Sequence, residues 1–135
     1  MLSLQSKGFH NINLVLPTHV VPQILEALNI AIGNWLNMPL VYNSGDYDSV
    51  ETLQILDGIV DIYMPDMKYS DAKTAEELSC VENYPEVNKA AIKEMRNQMG
   101  DLQTNSGGLA TRGLLIRHLI LPYALAGTEK IVKYI

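Results

Sequence analysis

Four short apolar segments, three of them followed by a proline, constrain the fold of this chain more than any other feature. They cover residues 11–16, 40–42, 58–64 and 114–121, and Pro17, Pro65 and Pro122 follow three of them. Each segment is too short for a typical helix and carries β-branched or aliphatic side chains, a pattern typical of buried strands. Proline cannot donate to a sheet ladder, so the prolines set the ends of these strands.

Stretches of helical periodicity separate the four predicted strands. Apolar residues recur at spacings of three and four from Val21 to Trp35, and further helices are predicted at 48–56, 72–78, 83–99 and 128–135. The resulting order is β-α-β-α-β-α-α-β-α, which favours a parallel sheet with right-handed crossovers. Two closures fit this order, an open doubly wound sheet and an arc of a barrel.

The length of 135 residues indicates one domain covering 1–135. A closed eight-stranded α/β barrel needs roughly 200 residues or more, so the chain is too short for one.

Polar residues at two predicted helix starts indicate helix caps. Asp48, with Glu51 three residues later, is typical of a capping box, and Thr128 is predicted to cap the last helix. Residues 101–111 are predicted to form a polar loop.

Composition excludes several classes of function. The formal charge is −5, which argues against non-specific binding to nucleic acid. The single cysteine, Cys80, cannot form an internal disulfide, a four-cysteine zinc site or a cysteine-ligated cluster. No apolar run approaches the roughly 18 residues of a membrane span, and the N-terminus lacks the features of a signal peptide. We therefore expect a cytoplasmic protein without a membrane partner.

The unusual polar residues fall where the predicted strands end, which is where ligands bind in either closure. The first strand ends in Pro17, Thr18 and His19, and the second runs into Asn43, Ser44, Gly45 and Asp46. The third strand carries Asp66 and Lys68 at its end. Because side chains alternate along a strand, Ile62, Met64, Asp66 and Lys68 are predicted to share one face.

An acid and a base two residues apart can hold a zwitterion. Asp66 would accept from an ammonium group, and Lys68 would donate to a carboxylate. The alternative is a solvated ion pair at the strand end that contributes little. Arg117 lies within the apolar fourth strand and needs an acceptor there, either a ligand carboxylate or a structural acid such as Asp61 or Asp66. His118 faces the opposite way and is predicted to be a core or helix-packing histidine.

Three segments resemble radical S-adenosylmethionine (radical SAM) proteins related to pyruvate formate-lyase activating enzyme. They are Asn11-Ile-Asn-Leu-Val-Leu-Pro-Thr-His19, Tyr63-Met-Pro-Asp-Met-Lys-Tyr69 and Gly113-Leu-Leu-Ile-Arg-His-Leu-Ile-Leu-Pro122. The resemblance covers nearly the whole chain in order. It implies a partial (β/α)6 barrel, of which this chain is the central and C-terminal part, with about four strands and helices on the outer face.

The same resemblance implies the cofactors and the site. In the family, three cysteines bind a [4Fe–4S] cluster, S-adenosylmethionine (SAM) occupies its open iron, and the radical formed abstracts hydrogen from a glycine of a partner enzyme. By matching position, the SAM-binding residues are Pro17, Thr18, His19, Asn43, Ser44, Asp66, Lys68 and Arg117. Asn43 and Ser44 would lie near the ribose, and Asp66 and Lys68 near the methionine moiety.

The chain departs from the family at its most diagnostic motif. The Cys-x3-Cys-x2-Cys segment is absent, as is the strand that carries it. We therefore expect the cluster only in an intact protein and no metal bound by this chain alone. As it stands, it would be an inactive fragment of such an enzyme, whose protein partner is a glycyl-radical enzyme or another substrate protein. The alternative is a non-catalytic α/β binding or interaction module. An unrelated flavodoxin-like enzyme is disfavoured, because no phosphate-binding loop precedes the first helix. Exposed sheet edges predict self-association.

Overall fold

The chain folds into a mostly parallel mixed sheet with helices. The computed structural model describes residues 1–45 and 47–135. The strands in these residues are β1 (Ile12–Val15), β2 (Leu40–Asn43), β3 (Ile62–Tyr63), β4 (Asp66–Met67), β5 (Gln103–Thr104), β6 (Ala110–Leu114) and β7 (Arg117–His118). The main sheet has the order β1-β2-β3-β6-β5, and β4 pairs with β7. All pairs are parallel except β5 with β6. The α/β class and the parallel sheet predicted from the sequence are confirmed.

The helices are α1 (Leu2–Ser6), α2 (Val21–Ile32), α3 (Val50–Ile55), α4 (Ala72–Ser79), α5 (Tyr84–Met99) and α6 (Thr128–Tyr134). The periodicity of the sequence predicts α2 to α6, whereas α1, which precedes β1, was not predicted. Short 3₁₀ turns at Pro17–Val20 and Pro122–Ala124 follow β1 and β7. Within 1–45 and 47–135, none of these helices has the length and apolarity needed to cross a bilayer.

Hydrogen bonds on either side of Met64 and at Pro65 join the pairs β3–β6 and β4–β7 into one ladder. The Leu115 amide donates to the Tyr63 carbonyl at 2.9 Å, and the Arg117 amide donates to the Pro65 carbonyl at 2.9 Å. The third predicted strand therefore continues past the proline that was expected to end it. Proline loses only its own N–H, so its carbonyl still accepts from the neighbouring strand.

The last predicted strand is shifted toward the N-terminus, which corrects the sequence-based boundaries. It begins at Ala110 rather than 114 and ends at His118. Part of the predicted polar loop forms a hairpin between β5 and β6. The side chain of Asn105 closes its turn, since Oδ1 accepts from the amides of Gly107 at 2.9 Å and Leu109 at 3.1 Å. Asparagine favours such turns because its side chain mimics a backbone acceptor.

The clustered part of the core lies on one face of the sheet, and Val41 and Ile62 are buried on the other face. The register places Leu14, Tyr42, Tyr63 and Leu114 on this face. The main cluster there joins Tyr42 and Tyr63 to α2, α3 and α5, and its buried helix residues are Val21, Leu53, Ala91, Met95 and Met99. A second cluster packs α2 on β1 and β2, and a third packs α5 and α6 on Met67 and Ile116. The opposite phase of the strands, which includes Asn43 and Asp66, faces away from these helices.

Two helix starts differ from the predictions. The N-cap of α3 is Ser49, whose Oγ accepts from the Thr52 amide at 3.1 Å, so the capping box at Asp48 is wrong. Asp48 is buried instead, where a side chain cannot serve an exposed helix end. The N-cap of α6 is Gly127 with φ 67° rather than Thr128. A side chain at Gly127 would overlap Ser70, so this position admits only glycine.

Asp71 caps α4 and gives a pH-dependent contribution to stability. Its carboxylate accepts from the Thr74 amide at 3.0 Å and from the Thr74 hydroxyl at 2.8 Å. These bonds hold the pKa of Asp71 below its ordinary value. Replacing Asp71 with alanine should lower the free energy of unfolding by about 1 kcal/mol at pH 7.

The pH dependence of this loss follows from the direction of the pKa shift. A carboxyl group whose pKa is lower in the folded state stabilises above its unfolded pKa, and that contribution disappears as pH falls through the folded pKa. Urea unfolding of wild type and Asp71→Ala at decreasing pH should therefore converge in the acid range. Glu76→Ala, in the same helix, serves as the control. A difference for Asp71→Ala that stays constant down to acid pH would contradict a cap made by the ionised side chain.

Candidate functional site

Four polar side chains from three segments, in or directly after β2, β4 and β7, meet at one place. Nη2 of Arg117 lies 2.8 Å from Oδ1 of Asp66 and donates to Oδ1 of Asn43 at 2.7 Å. Nζ of Lys68 lies 3.5 Å from Oδ2 of Asp66. We call Asn43, Asp66, Lys68 and Arg117 the strand-end cluster.

The register of the strands creates this cluster. Asp66 is directly opposite Arg117 in the β4–β7 pair, so both side chains point to the same face. Asn43 ends β2, which lies beside β3. Of the acids considered for Arg117, the structure selects Asp66. Asp61 is engaged elsewhere, because its Oδ2 accepts from the Leu40 amide at 2.8 Å.

Because its side chains are partly exposed, the cluster contributes little to the stability of the fold and is accessible to a ligand. The side chains of Asp66, Lys68 and Arg117 are 22%, 32% and 44% exposed. Ion pairs at such exposure contribute at most about 1 kcal/mol to stability. With one carboxylate and two cations, the cluster carries a local excess of positive charge in a chain of net charge −5. An anionic group with a neighbouring ammonium would match this arrangement.

A cleft of about 300 Å³ adjoins the cluster at Lys68. Thr18 and His19, two of the predicted site residues, line one side of it together with Gly45. An alanine Cβ at Gly45 would approach Lys68 Nζ to 3.1 Å, so the small residue leaves room for the lysine. The cleft is therefore continuous with the charged cluster, and Lys68 belongs to both.

The remaining predicted site residues lie beneath this surface. Pro17 is buried and starts the 3₁₀ turn after β1. Ser44 is fully buried, and its carbonyl accepts from the Asp66 amide at 3.2 Å. Both residues fix the backbone around the cleft without presenting side chains to it. Asp46, the other polar residue noted in this loop, lies outside the described residues.

A buried carboxylate ties the 3₁₀ turn to the sheet. Oδ1 of Asp48 accepts from the Thr18 hydroxyl at 2.7 Å and from the Tyr42 hydroxyl at 2.8 Å. Burial, and next the charge of Asp48, raise the pKa of Tyr42, so its hydroxyl stays protonated and donates. Oδ2 of Asp48 has no hydrogen-bond partner among the described residues. This network holds Thr18 at the edge of the cleft.

An aromatic wall that sequence reasoning missed closes the other side of the cleft. Tyr84 stacks on Tyr47 with ring centroids 6.4 Å apart and planes at 8°, and it meets Tyr69 edge-on at 5.4 Å. All three rings line the cleft. They come from a loop, a strand end and a helix start, so no periodic pattern in the sequence connects them. Of the three, only Tyr69, next to Lys68, belongs to a segment that the sequence analysis singled out, Met-Pro-Asp-Met-Lys-Tyr.

His118 packs against a helix, as predicted. Its Nδ1 lies 2.6 Å from the Met67 carbonyl, which can only accept, so Nδ1 carries the proton. Nε2 then accepts from the Thr128 hydroxyl at 2.8 Å.

Cys80 is an exposed residue at the end of α4. In the part of the chain that the structure describes, no group of three His, Cys, Asp or Glu side chains could hold a metal ion.

Comparison with known proteins gives one informative match. The chain is 34% identical over 115 residues to an uncharacterized protein of Methanocaldococcus jannaschii. The match covers 84% of this chain and 30% of that protein, so the chain spans less than a third of its relative. No family model matches the chain, and no solved structure matches it.

Proposed function

We propose that this chain is the SAM-binding part of a radical SAM protein related to pyruvate formate-lyase activating enzyme. The convergence of Asp66, Lys68 and Arg117 with Asn43 beside one cleft, which Lys68 lines, supports this most strongly. Among the described residues, Oδ2 of Asp66 has an ion-pair contact only with Lys68, at 3.5 Å, so it can accept from the ammonium group of the methionine moiety. Lys68 and Arg117 can donate to the carboxylate of the same moiety.

The topology supports the finer fold assignment, an arc of a (β/α) barrel. The parallel strands β1, β2, β3 and β6 neighbour one another in chain order, and the buried core clusters place α2, α3, α5 and α6 on one face. A doubly wound sheet reverses its strand order at a switch point and carries helices on both faces. In the proposed arc, Asn43, Asp66 and Arg117 face the barrel interior.

The chain does not fit the iron–sulfur cluster that the resemblance implies. Its one cysteine, Cys80, ends α4, and a cluster of this kind needs several thiolates. The proposal for this chain is therefore SAM binding alone, and the radical chemistry lies outside it. In the proposed intact protein, the cluster, the reaction and a protein partner such as a glycyl-radical enzyme belong to other segments. A cytoplasmic location is part of the same proposal.

The single cysteine also favours a second candidate, a non-catalytic α/β module that binds a ligand or a protein. The two candidates differ in what precedes the chain in its gene. An in-frame Cys-x3-Cys-x2-Cys segment upstream supports the enzyme fragment, and a stop codon directly upstream supports the separate module.

Calorimetric titration of the wild-type chain tests the binding proposal. SAM should bind at least tenfold more tightly than 5′-methylthioadenosine, which lacks the amino-acid group, because the charged residues of the strand-end cluster would contact only that group. The adenosine portions of the two ligands are matched, so the ratio reports the contribution of the amino-acid group together with that of the sulfonium charge, which 5′-methylthioadenosine also lacks. Equal affinities, or no heat with either ligand, would contradict the proposal.

We also expect the chain to self-associate through β1. This strand pairs with β2 on one side, and the described residues place no strand on its other side. Val15, in β1, is 64% exposed. An apolar open edge is a template for pairing with a second copy, and a lysine on such an edge blocks it. Sedimentation velocity should show concentration-dependent association at micromolar concentrations that Val15→Lys reduces. A monomer throughout that range would count against this expectation.

A further inference from the structure

Tyr84 bonds to the backbone on both sides of Met67, between Asp66 and Lys68, which are two of the three charged residues of the cluster. Its hydroxyl donates to the Asp66 carbonyl at 3.0 Å and accepts from the Lys68 amide at 3.1 Å. The Tyr84 side chain is buried, with 3% of the residue exposed. One hydroxyl thus spans the segment from Asp66 to Lys68 and fixes the direction in which both side chains leave the backbone.

Asn88 supports the same segment from the next turn of α5. Its Nδ2 donates to the Asp66 carbonyl at 2.9 Å and lies 3.2 Å from the Tyr84 hydroxyl. Residues four apart lie on the same helix face, so Tyr84 and Asn88 approach β4 together. Asn88 is fully buried. A buried amide is retained where its hydrogen bonds fix a geometry, because apolar packing would otherwise fill the space more favourably.

This support is needed because β4 is only two residues long. The ladder holds Asp66, whose amide donates to the Ser44 carbonyl at 3.2 Å. Lys68 lies one residue past the strand, where its amide has left the ladder and bonds to Tyr84 instead. Without Tyr84, the backbone at Lys68 could rotate and carry the ammonium group away from Asp66.

We infer that Tyr84 and Asn88 are positioning residues that aim Asp66 and Lys68 at the amino-acid group of the ligand. This role rests on the proposed binding of SAM. It adds two residues of α5, remote in sequence from Asp66 and Lys68, to the determinants of the site. Tyr84 then has two roles. Its ring belongs to the aromatic wall of the cleft, and its hydroxyl holds the backbone from Asp66 to Lys68.

Tyr84→Phe separates these two parts, because it keeps the ring and removes the hydroxyl. SAM affinity should fall about tenfold, as expected for a lost hydrogen bond that orders charged groups, while affinity for 5′-methylthioadenosine should stay unchanged. Tyr63→Phe is the matched control. It removes another tyrosine hydroxyl, which donates to Gln98 Oε1 at 2.7 Å. This hydrogen bond does not involve the cluster, so the substitution should change neither affinity. Equal weakening of both ligands by Tyr84→Phe, or no weakening, would overturn the positioning role.

A second measurement does not require SAM to bind. In ¹⁵N NMR spectra of the unliganded chain, the guanidinium signals of Arg117 report its contact with Asp66. They should shift or broaden in Tyr84→Phe and remain in place in Tyr63→Phe. If wild type fails to bind SAM, the proposed function is wrong and these signals alone decide the positioning role, which unchanged signals would overturn. If Tyr84→Phe does not fold, Asn88→Ala carries the same expectations in both measurements.

Discussion

Replacing Gly113 with alanine should lower the free energy of unfolding by roughly 3 kcal/mol or more. Gly113 lies in β6 between β3 and the β5 hairpin, with φ +117°. An alanine Cβ there would overlap the carbonyl oxygen of Asp101 and lie 2.6 Å from Cα of Leu102. Both contacts are with backbone, so no side-chain rotation can relieve them. The substitution therefore forces β6 and the preceding segment apart.

Gly108→Ala is the matched control for this substitution. Gly108 also has a positive φ of +77°, but an added Cβ would meet nothing within 4 Å. It should cost only the backbone strain of a left-handed alanine, about 1 kcal/mol. Urea unfolding of both variants gives the comparison. Equal losses would show that the close approach of Asp101 to β6 does not constrain the fold.

Asp66→Ala should reduce SAM affinity by roughly tenfold to a hundredfold, the range for a lost charge-assisted hydrogen bond. The substitution removes the only carboxylate of the strand-end cluster and leaves Lys68 and Arg117 as neighbouring like charges. The ammonium group of the ligand then has no acceptor there and meets two cations. Calorimetric titration of wild type and variant measures this loss.

Asp101→Ala provides the control for Asp66→Ala. Asp101 also pairs with an arginine at 2.8 Å, but the pair with Arg96 is largely exposed and lies outside the cluster and cleft. Its loss should leave SAM affinity within about twofold of wild type, as expected for a surface ion pair away from the ligand. Equal heats from wild type and Asp66→Ala would remove Asp66 from the site.

The sequence predicted the parts of the site that depend on strand periodicity. Alternation along the third strand placed Asp66 and Lys68 on one face, and the structure brings their charged groups to 3.5 Å. The side chain of Arg117 also lies on the face that alternation predicts, although the strand begins earlier than predicted. A period of two residues persists through small boundary errors, because a shift of both ends leaves the phase unchanged. The choice between Asp61 and Asp66 needed the register between strands, which no single strand encodes.

The predictions that depended on short polar motifs were less successful. Asp48 with Glu51 matches a capping box, but tertiary contacts with Thr18 and Tyr42 draw Asp48 into the interior and leave Ser49 to cap the helix. The Tyr84–Asn88 support was not visible because its partners are backbone groups of β4. When a side chain hydrogen-bonds to backbone groups, the sequence does not show which segment those groups belong to, because every residue offers similar ones. Such contacts arise only when the fold brings the segments together.

An NMR titration with SAM tests most directly whether the strand ends form the binding site. If they do, the amides of Gly45 and Lys68 and the guanidinium of Arg117 should shift with one common saturation curve, while residues around α6 stay in place. Those three positions line the cleft or belong to the cluster, and they come from three separate segments. Saturable shifts confined to another surface, or no shifts up to millimolar SAM, would contradict SAM binding at these strand ends.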